Sequence, residues 1–183
     1  MAGHHLILGE LVDFITGETI DDTHDERYRQ KIARLLVNQK GYCTGDIEPR
    51  RKLMVEAGDK KAIVMIDFLI KRWDKVCMLI KYGPGSLVTR RRSALAASRL
   101  VMAYQVPIAV ITNGEDAEIL EGPSGKVISQ GLDMIPSLSE LEKIIGNDQF
   151  KTISKEKSQI ESRIFYCFEV DGSCPCDVDI CRL

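Results

Sequence analysis

An α/β fold with a mixed central sheet follows from three observations on this 183-residue chain. Apolar residues recur at helical spacing after Thr23. Three apolar runs between residues 46 and 82 are separated only by turn-type clusters. A helix-length segment, 87–104, then intervenes before the next buried run, 106–112. Strands joined by short turns pair antiparallel, and a helical crossover brings the following strand in beside them. The expected architecture is a central mixed sheet with an antiparallel three-strand meander, flanked by helices.

Each element has a local cause. The first ~20 residues read as an arm or short strand anchored by Leu6, Ile7 and Leu8. Thr23-His24-Asp25-Glu26 fits a capping box, in which hydroxyl and carboxylate each satisfy a free backbone N–H. Tyr28, Ile32, Leu35, Leu36 and Gln39 then share one helical face, with Glu26 placed opposite it, and Gly41 ends the helix. Residues 46–56 and 61–71 read as strands around the turn Ala57-Gly58-Asp59-Lys60. A third strand, 76–82, follows Arg72-Trp73-Asp74 and stops at Gly83-Pro84-Gly85. After the 106–112 strand, which ends at Asn113-Gly114, come a short strand at 117–120 and a turn at Gly122-Pro123-Ser124-Gly125. A helix over 137–145 is capped by Ser137 with Glu140 three residues on, and 151–168 reads as helical. These elements group into an arm (1–21), a core (22–147) and a C-terminal helix with a cysteine-rich tail (148–183).

Composition narrows the function. Hydrophobic residues make up 44% and charged residues 28%, with a formal net charge of −2, so a polyanion would be held by a local basic patch and not by global charge. The N-terminus lacks a signal-peptide pattern, and no segment approaches the ~18 apolar residues that span a bilayer. A cytoplasmic location is expected, with no membrane partner, and a homo-oligomer stays open. Six cysteines are then reduced unless they bind metal or do redox work.

Asp67 is the most informative residue. It lies in Ala62-Ile63-Val64-Met65-Ile66-Asp67-Phe68-Leu69-Ile70, apolar on both faces and so a central strand. A carboxylate there is costly unless paired, hydrogen-bonded or metal-bound. Taking Arg72-Trp73-Asp74 as a three-residue loop pairs Lys71 with Lys75 and places Asp67 opposite Leu79. Cys77, Leu79 and Lys81 then share its face, and Lys81 is an ammonium for that carboxylate or for a bound phosphate.

The run His24-Asp25-Glu26-Arg27-Tyr28-Arg29-Gln30, then Gly41-Tyr42, Asp67, Ile80-Lys81, and Pro107-Ile108-Ala109-Val110-Ile111-Thr112-Asn113-Gly114 resembles the N-terminal family of type I restriction enzyme R subunits. The resemblance covers about residues 22–125 and implies a restriction-endonuclease-like fold of the PD-(D/E)XK nuclease superfamily. It implies nucleic acid as partner and phosphodiester hydrolysis with Mg²⁺, held by an aspartate and a glutamate on adjacent strands and served by a lysine two residues beyond the glutamate. Asp67 and Lys81 match those positions, and Glu26 matches the helix glutamate. The strand glutamate falls on Leu79, which cannot ligate a metal. Three answers are open: a glutamate from elsewhere (Glu48 or Glu56), a one-carboxylate site, or a fold kept without activity.

Two further clusters stand out. Arg90-Arg91-Arg92, after the Gly-Pro-Gly turn, forms a candidate phosphate-backbone patch; its bland reading is a helix face paired with acids. Gly-Pro-Gly is no phosphate-binding P-loop. Cys167, Cys174, Cys176 and Cys181 form C-x6-C-x-C-x4-C, a candidate Zn²⁺ or iron–sulfur site, with a disulfide pair, free thiols on a tail or a metal site completed by another chain as alternatives. Cys43 and Cys77 read as packing residues. The functional readings are a nucleic-acid-binding nuclease-like protein that cleaves with Mg²⁺, an inactive binding or assembly protein on the same fold, and a small cysteine-cluster metal protein.

Overall fold

The computed structural model describes residues 6–145 and 150–171. Cys174, Cys176 and Cys181 lie outside the described residues.

A six-stranded sheet runs in sequence order: β3 (Ile47–Ala57), β4 (Lys60–Arg72), β5 (Lys75–Tyr82), β6 (Ile108–Thr112), β7 (Ala117–Glu121) and β8 (Val127–Gln130). Every neighbouring pair is antiparallel except β5–β6, which is parallel. The expected meander and crossover are therefore present. The crossover helix α2 spans Arg91–Ser98, after a 3-10 turn at Val88–Arg90, and is shorter than the 87–104 expected. Its end has a cause: the Ser98 carbonyl accepts from the Val106 N–H at 2.9 Å, so the chain turns back. The strand 117–120 is found one residue longer.

Two elements go beyond the sequence expectations. The N-terminal arm is a hairpin, β1 (Gly9–Val12) with β2 (Thr19–Asp22), and β8 closes the far edge of the sheet. Helix α1 (His24–Asn38) starts at Thr23, whose hydroxyl accepts from the Glu26 N–H, but the carboxylate half of the expected capping box is not made, because Glu26 is turned to Arg50 and Gln30. Helices α3 (Leu138–Ile144) and α4 (Lys155–Tyr166) follow, and α4 continues as a π turn, Cys167–Asp171.

Helices cover both faces. On one, Ile32, Ala33 and Leu36 of α1 pack on Phe68, Ile70, Met78 and Ile80. On the other, Ala96 and Ala97 of α2 and Phe165 and Tyr166 of α4 pack on Val64, Ile66, Leu69 and Leu79. Burying such apolar side chains stabilises by roughly 1.5–3 kcal/mol each, and the central strands carry them on both faces, as their near-continuous apolar runs anticipate.

The hairpin between β4 and β5 differs from the expected register. Trp73 (φ +49) and Asp74 (φ +60) form a two-residue turn with both centres left-handed, so Arg72 pairs with Lys75. A bulge between Ile70 and Lys71 shifts the ladder again, giving Leu69 against Leu79 and Phe68 against Ile80. Asp67 is thus level with Lys81, not with Leu79.

Candidate functional site

The site grows from Asp67. Along β4, Ala62, Val64 and Ile66 join the α4-side cluster, whereas Phe68 and Ile70 join the α1-side cluster. The in–out alternation therefore slips at Asp67. On the neighbouring strand Arg50, between partners of Phe68 and Ile66, has φ +53, a left-handed backbone that a non-glycine residue adopts at a cost of about 1–2 kcal/mol. The slip and the turned backbone together aim polar groups into a packed sheet.

Asp67 is 3% exposed and fully engaged. Its Oδ1 accepts from Arg29 Nε at 2.6 Å, and its Oδ2 accepts from the Tyr82 backbone N–H at 2.7 Å. Burial alone would depress the Arg29 guanidinium, but Asp67, Glu26 and Asp25 outweigh it and raise its pKa, so the cation stays charged. The guanidinium also lies over the Tyr82 ring at 5.0 Å, and Tyr28 stacks on that ring at 5.8 Å. Tyr28 in turn fills the space beside Gly114, where a Cβ would meet its ring at 2.2 Å.

Glu26 is buried, not set opposite the packed face. It lies one turn before Gln30 on the same side of α1, so that face continues as polar side chains toward the helix start. Glu26 Oε1 accepts from Arg50 Nη2 at 2.6 Å and from Gln30 Nε2 at 2.9 Å. Arg50 Nη2 also donates to Asp13 Oδ2 at 2.6 Å, and Gln30 Nε2 donates to the same oxygen at 2.7 Å. Burial would raise the Asp13 carboxyl, but the Thr16 N–H, Arg50 and Gln30 hold it down at about 2. Asp13, Glu26 and Asp67 are thus laced together by Arg29, Arg50 and Gln30. The two arginines offset two of the three carboxylate charges.

Lys81 is 6% exposed and faces the other way. Its Nζ donates to Glu169 Oε2 of the π turn at 2.7 Å and to the Met65 carbonyl at 3.2 Å, and lies 5.5 Å from the Phe165 ring centre. Among the described residues, no ion pair joins Lys81 to Asp67. The ammonium expected beside that carboxylate is replaced by Arg29, and Lys81 has its own acid. Glu169 Oε1 is also held by the Ser93 hydroxyl.

Leu79 is 0% exposed in the core under α4. Glu48, opposite Leu69, is tied to Arg51 and to Lys71, and these contacts hold its carboxyl down at about 2 against the effect of burial. Glu56 lies near the far hairpin, paired with Lys61 at 2.7 Å. Among the described residues no group of three or more His, Cys, Asp or Glu side chains could hold a metal ion. Mg²⁺ needs open carboxylate oxygens and keeps several waters. Asp67 instead has one oxygen on a fixed guanidinium and the other on a backbone N–H, with no second free acid beside it among the described residues, so these residues do not fit the metal.

The arginine cluster is half-buried and partly spent. Arg91 pairs with buried Glu118 through Nε at 2.5 Å, and Arg92 with buried Glu161 at 2.7 Å. Arg90 Nε donates to the Pro84 carbonyl at 3.2 Å, and its guanidinium lies against Gly83. Cys167 is an exposed free thiol, and Cys77 is buried as expected of a packing residue; Cys43 is exposed instead. Among the described residues no helix is long and apolar enough to cross a membrane.

Arg29, Arg50, Asp13, Ser93 and Glu169 were not singled out in the sequence. Their partners lie 37–88 positions away for the pairs Arg50–Asp13, Arg29–Asp67, Ser93–Glu169 and Lys81–Glu169, beyond any local spacing rule.

A central acid on β4, a lysine on β5 and a parallel crossover strand belong to an α/β module built on a six-stranded mixed sheet. A family model for the type I restriction enzyme R protein N terminus matches residues 24–136. The chain belongs to that family. Comparison with curated proteins and with solved structures finds no match.

Proposed function

We propose that this chain is a restriction-endonuclease-like domain that binds nucleic-acid backbone and has given up Mg²⁺-dependent phosphodiester hydrolysis. One observation carries the reading: Asp67 is committed to Arg29 and the Tyr82 N–H, while Leu79, at the position where the family resemblance implies a glutamate, is packed under α4. Family membership supports nucleic acid as the partner. So does the position of Arg90, folded over Gly83 directly after Lys81 and Tyr82. Contacts of this kind recognise phosphate without reading sequence.

The test pairs two assays on the full chain. Incubation with Mg²⁺ or Mn²⁺ leaves DNA and RNA intact. Fluorescence anisotropy detects binding that weakens as salt rises, and Arg90→Gln lowers affinity by about 3–10-fold with a smaller salt slope. Cleavage abolished by both Asp67→Asn and Lys81→Ala would restore the nuclease reading. Absence of binding to either nucleic acid would leave an assembly role. Whether the thiols of Cys167, Cys174, Cys176 and Cys181 take Zn²⁺ or an iron–sulfur cluster is a separate proposal, checked by elemental analysis before and after Cys174→Ser with Cys176→Ser.

A further inference from the structure

The region matching the family ends at residue 136, and α4 with its π turn lies beyond it. This added segment covers the sheet face that carries Leu79 and Lys81. Phe165 and Tyr166 sit in the cluster with Leu79, and the Phe165 ring lies beside the Lys81 ammonium. Three polar anchors fasten it. Glu161 takes Arg99 and Arg92, each at 2.7 Å. The Ser162 hydroxyl accepts from the Glu56 N–H and donates to the Glu56 carbonyl on β3. Glu169 is held by Lys81 and Ser93.

The last anchor differs from the others. Lys81 and Ser93 present an ammonium and a hydroxyl converging on one anionic group, with side chains 7% and 12% exposed for Lys81 and Glu169. Such a donor pair does not distinguish carboxylate from phosphate oxygen. Lifting Glu169 costs Lys81 its counter-ion, a loss that an incoming anion makes good. The π turn that holds Glu169 is a rare helical form that is frequent at functional sites. It lies at the end of α4, distal to the Glu161 and Ser162 anchors, so it can lift while the helix stays docked.

We propose that Glu169 is an internal stand-in for a nucleic-acid phosphate: the π turn occupies Lys81 and Ser93 and is displaced when backbone phosphate binds there. This regulation rests on the nucleic-acid reading given above. Masking the site lowers apparent affinity by the fraction of molecules that are open.

The experiment uses the full chain and fluorescein-labelled double- and single-stranded DNA in an anisotropy titration at fixed salt. Glu169→Gln is expected to bind about tenfold more tightly than the parent, and adding Lys81→Met to that variant removes the gain. In the unaltered chain, saturating DNA is expected to speed amide hydrogen exchange at residues 167–171 while residues 155–164 stay protected. That second measurement stands even where a variant folds poorly. Equal affinity of parent and Glu169→Gln, or unchanged exchange at 167–171 with DNA bound, overturns the stand-in while nucleic-acid binding itself survives. No binding by parent or variant overturns both.

Discussion

Arg50 holds a backbone conformation that costs free energy, and the return is visible in its guanidinium, which bridges Asp13 and Glu26. Arg29 does the same for Asp67. Because Asp67 is buried, removing its cation leaves a charge with a single N–H donor. Arg29→Ala is expected to destabilise by about 3–5 kcal/mol, read as a lower urea midpoint. Adding Asp67→Asn should recover part of that loss, so the double-mutant cycle gives a coupling well above the ~0.3–0.5 kcal/mol of independent sites. Additive losses would show that the two side chains do not depend on each other. The acids also set a pH dependence. Asp13 and Glu48 both titrate at about 2 in the folded chain, below their ordinary values of 3.8 and 4.5. A depressed folded pKa stabilises fully above the unfolded value and is lost as pH falls through the folded one. Stability should therefore hold down to about pH 5 and fall toward pH 2, with a shallower fall in Asp13→Asn.

At the level of elements, the sequence specifies what its local patterns encode. The capping residue Thr23, the apolar run around Asp67 and the crossover before β6 all read correctly because their causes lie within a few residues. The β4–β5 register does not, because it depends on whether Arg72 belongs to the turn or the strand. The turn Trp73-Asp74 needs two left-handed centres, a geometry that favours glycine second. Asp74→Gly should relieve that backbone and raise stability by roughly 0.5–1 kcal/mol, a thermal-midpoint gain of about 1–4 °C. A fall would mean that the Asp74 side chain, and not the backbone, sets the turn. The β1–β2 hairpin and β8 were missed because both are half-exposed, and an exposed strand carries little apolar signal.

Across the whole molecule, the family resemblance located the module, and the family match at residues 24–136 agrees with it. The candidate site was half legible. A lone acid in an apolar strand announces that something must compensate it, and Leu79 departs from the glutamate that the family resemblance implies. What compensates the acid was not legible, since an arginine on α1 looks like any other until the helix docks. Lys81 lies on β5 as expected, but level with Asp67 and turned to the opposite face, where α4 folds over and brings Glu169. Under the proposed function, the fold persists while its central carboxylate is closed to metal by a fixed guanidinium.

Mn²⁺ binding, followed by electron paramagnetic resonance of free Mn²⁺ in a titration of the full chain against Asp67→Asn, tests that closure most directly. The account predicts superimposable curves, with no Mn²⁺ retained through Asp67. A stoichiometric site present in the parent and lost in Asp67→Asn would contradict it.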